Sequence, residues 1–159
     1  MVVNKVVQEI INLHNAEEFL PMQETDIQCL MYHLIIQQGV RLSHVHAGYP
    51  INLKEGWVHP DILIGDPNII GEREIIEIKF MQKDWDLQPG RITRRMETSE
   101  KDLKKLSEVE CKNSYFIFFN EAKPLSEEMK RRLLDRVEKG TVFILLEERN
   151  GKLVKVPIH

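Results

Sequence analysis

At 159 residues the chain has room for one ordinary domain (1–159) with a real core. Its 42% apolar and 30% charged residues exclude a disordered chain. A formal net charge of −3 excludes a generally basic nucleic-acid binder, so any hold on nucleic acid must come from a local patch or a bridging metal. The longest apolar runs are four or five residues, too short to span a membrane.

In chain order, the first helix is expected over residues 2–14, with Val3, Val6, Val7, Ile10 and Ile11 on one face. Its polar residues, and the lack of a small-residue cleavage site, argue against a signal peptide. A second helix follows from about Glu24 to Gln38, with Ile27, Leu30, Met31, Leu34 and Ile35 inward and Gly39 as its terminator. Cys29 reads as a small buried hydrophobe. Neither it nor Cys111 has metal-ligand spacing, which points to the cytoplasm.

Residues 41–47 alternate like a strand until Gly48-Tyr49-Pro50 breaks the pattern. Strands are expected at 57–64 and 74–80, joined by a turn-rich segment. The polar stretch 82–95 reads as a loop. Ser99, with Asp102 three residues on, resembles a capping box for a helix over 100–110. A strand at 115–119, a helix carrying Met129, Leu133, Leu134 and Val137, and a hairpin turning at Asn150-Gly151 complete the chain. This order implies an α/β fold (α+β by a stricter reading) with a mixed central sheet flanked by helices.

Charge enters this pattern at one unexpected place. Asp61 opens an apolar strand run, and Glu77 and Lys79 lie within another. Side chains alternate along a strand, so Asp61 shares a face with His59 and Leu63, and Glu77 and Lys79 share one with Ile75. If the strands are neighbours, the three charges converge. Buried charge is costly unless paired or metal-bound. Asp61, Glu77 and the carbonyl of Ile78 could hold Mg²⁺ or Mn²⁺, with Lys79 beside an attacking water.

The residues Pro60-Asp61 … Glu77-Ile78-Lys79 resemble the signature of the PD-(D/E)XK nuclease superfamily, the restriction-endonuclease-like fold. The bare acid–x–Lys pattern occurs five times in the chain, but only the Glu77 copy lies in an apolar strand and follows the one Pro-Asp dipeptide. The resemblance implies an αβββαβ core over residues 24–119, with the N-terminal helix and C-terminal hairpin as additions. It also implies Asp61, Glu77 and Lys79 as catalytic positions and metal-dependent hydrolysis of phosphodiester bonds. An acidic residue on the helix before the first strand is common in the family, and Glu24 is the candidate here.

The expected protein is therefore a Mg²⁺-dependent endonuclease, with DNA favoured over RNA. It has no separate sequence-reading domain, and a homodimer would set two sites on two strands. Arg91, Arg94, Arg95, Lys101 and Lys105 form a candidate phosphate-contacting rim. His59 is an auxiliary site residue, and Trp85 either stacks on a base or packs. The competing reading is a non-catalytic module on the same fold, binding nucleic acid or protein, with the three charges as an internal cluster. A site built on His44, His46 and His59 lacks a full ligand set.

Overall fold

The stripe Val3, Val6, Val7, Ile10 and Ile11 forms the buried face of α1 (Val2–Asn15). In α2 (Glu24–Gln37), Ile27, Met31, Leu34 and Ile35 are buried. The Asp26 carboxylate accepts the N–H groups of Met22 and Gln23 at the start of that helix, and Gly39 follows its end at φ +89°. A computed structural model describes residues 2–54, 56–138 and 140–157 of the chain.

The fold is α/β. The described strands β1 (Val45–Ala47), β4 (Ile62–Ile64), β5 (Glu74–Met81), β6 (Asn113–Asn120), β7 (Thr141–Arg149) and β8 (Lys152–Val156) form one mixed sheet in the order β1-β4-β5-β6-β7-β8. β5, β6 and β7 run parallel; β1, β4 and β8 join antiparallel. Two short strands, β2 (Ile51–Leu53) and β3 (Gly56–Val58), make a separate ribbon. Helices α3 (Arg91–Ser107) and α4 (Glu127–Leu134) complete the elements. Asn150 and Gly151, at φ +54° and +75°, make the expected two-residue turn between β7 and β8.

Strand alternation divides the interior into two cores. Ile76, Ile78, Phe80, Tyr115, Ile117 and Phe119 pack with α1 and α2. Ile75, Met81, Phe116, Phe118 and Leu145 pack with Met96, Leu103 and Leu106 of α3. Glu77 and Lys79 fall between Ile75 and Met81, on the α3 side, at positions that burial would otherwise assign to aliphatic residues.

Several expected boundaries move. Residues 42–44 are a 3₁₀ turn, so the first strand begins only at Val45. The strand expected at 57–64 is two strands: β3 ends at Val58 and β4 begins at Ile62. Pro60 between them has no N–H to give a ladder. The supposed loop at 82–95 holds a 3₁₀ turn (Lys83–Leu87) and the first turn of α3. Ser99 is therefore no helix cap. It lies in mid-helix, fully buried, with its Oγ donating to the carbonyl of Arg95 at 2.8 Å. The inward stripe of α3 runs Met96, Ser99, Leu103, Leu106, and a serine in that stripe hides the helical period. Cys29 is exposed, because its turn of α2 faces away from the sheet.

Candidate active site

β4 pairs with β5 only through Ile62↔Ile76, Leu63↔Ile75 and Ile64↔Glu74. Beyond Ile76 that edge of β5 has no strand partner among the described residues, so its N–H groups need other acceptors. Two carboxylates supply them. Asp61 Oδ2 accepts the N–H of Ile78 at 2.6 Å, and Glu24 Oε2 accepts the N–H of Phe80 at 3.0 Å. Within a strand the N–H and C=O of one residue point to the same edge, so the Ile78 carbonyl faces the Asp61 side as well.

Lys79, only 5% exposed, gathers the remaining acids. Its Nζ lies 2.6 Å from Glu77 Oε1, 3.1 Å from Asp102 Oδ2 and 3.8 Å from Glu24 Oε1. Arg95 donates from Nη1 to Glu24 Oε2 at 3.0 Å. Four carboxylates thus face two cations, a formal excess of two negative charges in a half-buried place.

Burial is the main influence on both central acids. It drives Asp61 up to about 6, against the Ile78 N–H and Lys79, which pull it down. It drives Glu77 up to about 7, again opposed by Lys79 and reinforced by Asp61. For Lys79 burial alone would favour the neutral amine, yet Glu77, Glu24 and Asp102 outweigh it and hold the ammonium well above its ordinary value. The lysine stays charged while the acids hover near neutrality.

Oxygens Oδ1 of Asp61 and Oε2 of Glu77 accept no hydrogen bond among the described residues. Two carboxylates and a strand carbonyl are hard oxygen donors, and Mg²⁺ commonly takes one or two carboxylates and completes its octahedron with water and phosphate. That donor set fits Mg²⁺ better than a transition metal. Among the described residues, no group of three or more His, Cys, Asp or Glu side chains is arranged to enclose an ion. Any cation here would rest on two acids and not in a preformed cage.

The structure brings together Asp61, Glu77, Lys79 and Glu24. His59 is exposed at the rim, its Nδ1 3.4 Å from the carbonyl of Gly48, and lines a cavity of about 230 Å³ with Trp57, Glu77, Asp102 and Lys105. The five rim cations divide. Lys105 lines that cavity and Arg94 is exposed. Lys101 lines another cavity, with Glu97, Glu100 and Arg136. Arg91 bonds the Gln88 side chain, and Arg91 and Arg95 lie 4.4 and 5.1 Å from the ring centre of Trp85. Trp85 is buried at 9% exposure, so it packs and does not reach out to a base. A larger cavity, about 570 Å³, is lined by Lys54, Arg73, Lys104, Glu108 and Glu110, and Glu24, Asp61, Glu77 and Asp102 are not among its lining residues.

Asp102 is the site residue that sequence reasoning assigned to the wrong task. Once α3 is known to begin at Arg91, the spacing Ser99, Asp102, Leu103, Leu106 sets Asp102 on the buried side. Arg95 carries a related expectation. It joins Glu24 to the Trp85 face, so Arg95→Ala should cost about 1–2 kcal/mol and raise collisional quenching of Trp85 by acrylamide. An unchanged denaturation midpoint would make Arg95 a surface cation only.

Comparison of the chain with protein-family models, with curated proteins and with solved structures found no significant match in any of the three.

Proposed function

We propose that this protein is a metal-dependent nuclease of the PD-(D/E)XK type, with Asp61, Glu77 and Lys79 as its catalytic residues. The observation that carries the reading is the half-buried cluster of four carboxylates against two cations, with a charged lysine among them, on the unpaired edge of β5. Surface ion pairs are solvated and balanced; this cluster is neither. Taken with the β2–β3 ribbon as an insertion between β1 and β4, the order α2, β1, β4, β5, α3, β6 is compatible with an αβββαβ core.

Asp61, Glu77 and the Ile78 carbonyl would hold Mg²⁺ or Mn²⁺, which supplies Lewis-acid polarisation of the phosphoryl group and a water of lowered pKa. Lys79 then offsets charge developing on the phosphate and orients the attacking water. Glu24 fixes the lysine from the α2 side, and Asp102 does so from α3. Glu77, raised by burial to about 7, would give up its proton on holding the cation. DNA is the favoured polymer and the cytoplasm the compartment, and a homodimer would set two such sites on two strands.

A second reading is favoured by one observation. Glu24 and Asp61 already have structural work, accepting the N–H groups of Phe80 and Ile78, and Lys79 already has its partners. The same cluster could then serve a non-catalytic binding module. The two readings part on one assay: cleavage of a mixed panel of DNA and RNA structures in Mn²⁺, comparing the parent with Lys79→Ala and Glu77→Gln. The nuclease reading expects products from the parent alone. Equal cleavage by all three, or by none, removes it.

A further inference from the structure

The β2–β3 ribbon stands beside the site with one face anchored. Ile51 is 7% exposed, and Leu53 and Val58 pack against the second core. The cross-strand pairs are Ile51↔Val58 and Asn52↔Trp57, so alternation turns Asn52 and Trp57 to the opposite, outer face. Trp57 is 61% exposed. An indole can bury 150–250 Å², roughly, when it packs, and Trp85 shows that this chain can bury one. Trp57 is held out in water on a ribbon anchored by its other face, and it lines the same cavity as Glu77, Asp102, His59 and Lys105.

We propose that Trp57 is a stacking platform for an unpaired base, so that the substrate is a nucleic-acid segment with single-stranded character at the cut. This rests on the nuclease reading above and narrows it. Bases inside a duplex are stacked on their neighbours and offer no ring face; an isolated aromatic platform can engage only a base that is already free. Lys105, on the same cavity wall, supplies a cation for the adjoining phosphate. The overall charge of −3 suits a short, locally held segment better than a long duplex tracked along a basic groove.

The chain has two tryptophans, and only Trp57 is open to solvent, so intrinsic fluorescence reports on it directly. The full-length protein in Ca²⁺ is titrated with short oligothymidylate, short oligouridylate and a blunt duplex of equal length. Trp57→Ala and Trp57→Phe are titrated by fluorescence anisotropy of labelled strands. Cleavage of the same strands in Mn²⁺ is followed for the parent, Trp57→Ala and Lys79→Ala. The proposal expects quenching by the single strands and not by the duplex. It also expects affinity to fall about 5- to 100-fold in Trp57→Ala, to be largely retained in Trp57→Phe, and the thermal midpoint to stay unchanged. The two single strands show which sugar is preferred. Equal affinity of Trp57→Ala and parent, or a blunt duplex bound as tightly as a single strand, overturns the platform. If the parent still cuts and Lys79→Ala does not, the nuclease reading survives that result. Quenching and the Trp57→Ala loss without any cleavage would sink the nuclease reading and leave the platform. No binding by the parent sinks both.

Discussion

Lys79→Ala should abolish metal-dependent cleavage and, at pH 8, lower stability by roughly 3–5 kcal/mol, the usual cost of removing one member of a buried ion pair. The second effect follows from burial. The ammonium is 5% exposed and is the shared partner of Glu77, Asp102 and Glu24, whose side chains are 13%, 20% and 30% exposed. Without it the three acids face one another, with Arg95 paired to Glu24 and Lys105 on the cavity wall beside Glu77 and Asp102. They can relieve the repulsion by binding protons, and Glu77 already titrates at about 7 with the lysine present. The stability deficit should therefore shrink as pH falls and be small at pH 5.5. Urea titrations of parent and variant at both pH values would check this. Equal midpoints at pH 8 would mean that the cluster is solvated and that the lysine is dispensable to the fold. Cleavage is compared at a temperature where the variant is folded, and a loss of at least about a hundredfold is expected for removing one charge-stabilising group.

The fold was legible where period and burial coincide. α1 and the face of α2 follow from their apolar spacing, and the β7–β8 turn follows from Asn-Gly chemistry. The sequence also marked Asp61, Glu77 and Lys79, because charges inside apolar strand runs are expensive and so stand out. What it could not mark depended on tertiary partners. The extent of β4 is set by where β5 loses its neighbour, and that free edge explains the positions of Asp61 and Glu24. α3 was concealed because a mid-helix serine imitates a cap. With its start misplaced, Asp102 read as a capping acid, and Arg91 and Arg95 as loop cations free for phosphate. The sequence left Trp85 to stack or to pack and said nothing of Trp57's exposure, for a similar reason. Exposure is decided by which face of an element is anchored, and the β2–β3 ribbon is too short to announce itself by pattern.

The site's acids also make stability depend on pH in the reverse of the usual carboxylate sense. Asp61 and Glu77 have folded-state values raised to about 6 and about 7 from 3.8 and 4.5. Between the ordinary and raised values the native protein holds protons that the unfolded chain has released, so stability declines as pH rises through that window. Each group contributes at most about 3 kcal/mol, and because they repel each other the joint effect is a few kcal/mol. Lys79 does not disturb this range, since the stability that it adds is lost only at alkaline pH, as pH climbs from its ordinary value through its raised one. In EDTA the melting temperature should fall by roughly 5–10 °C between pH 5 and pH 8. Glu77→Gln, which resembles the protonated acid, should flatten much of that slope. Millimolar Mg²⁺ should restore the parent at pH 8 and do little at pH 5, where protons compete for the same oxygens. By the same linkage, Mg²⁺ binding at pH 6.5 should release about one proton, and calorimetry in two buffers of different ionisation enthalpy would measure it. A melting temperature that climbs from pH 5 to pH 8 and ignores Mg²⁺ would show fully ionised, lysine-satisfied carboxylates. Such a site would have no surplus charge for a metal to neutralise.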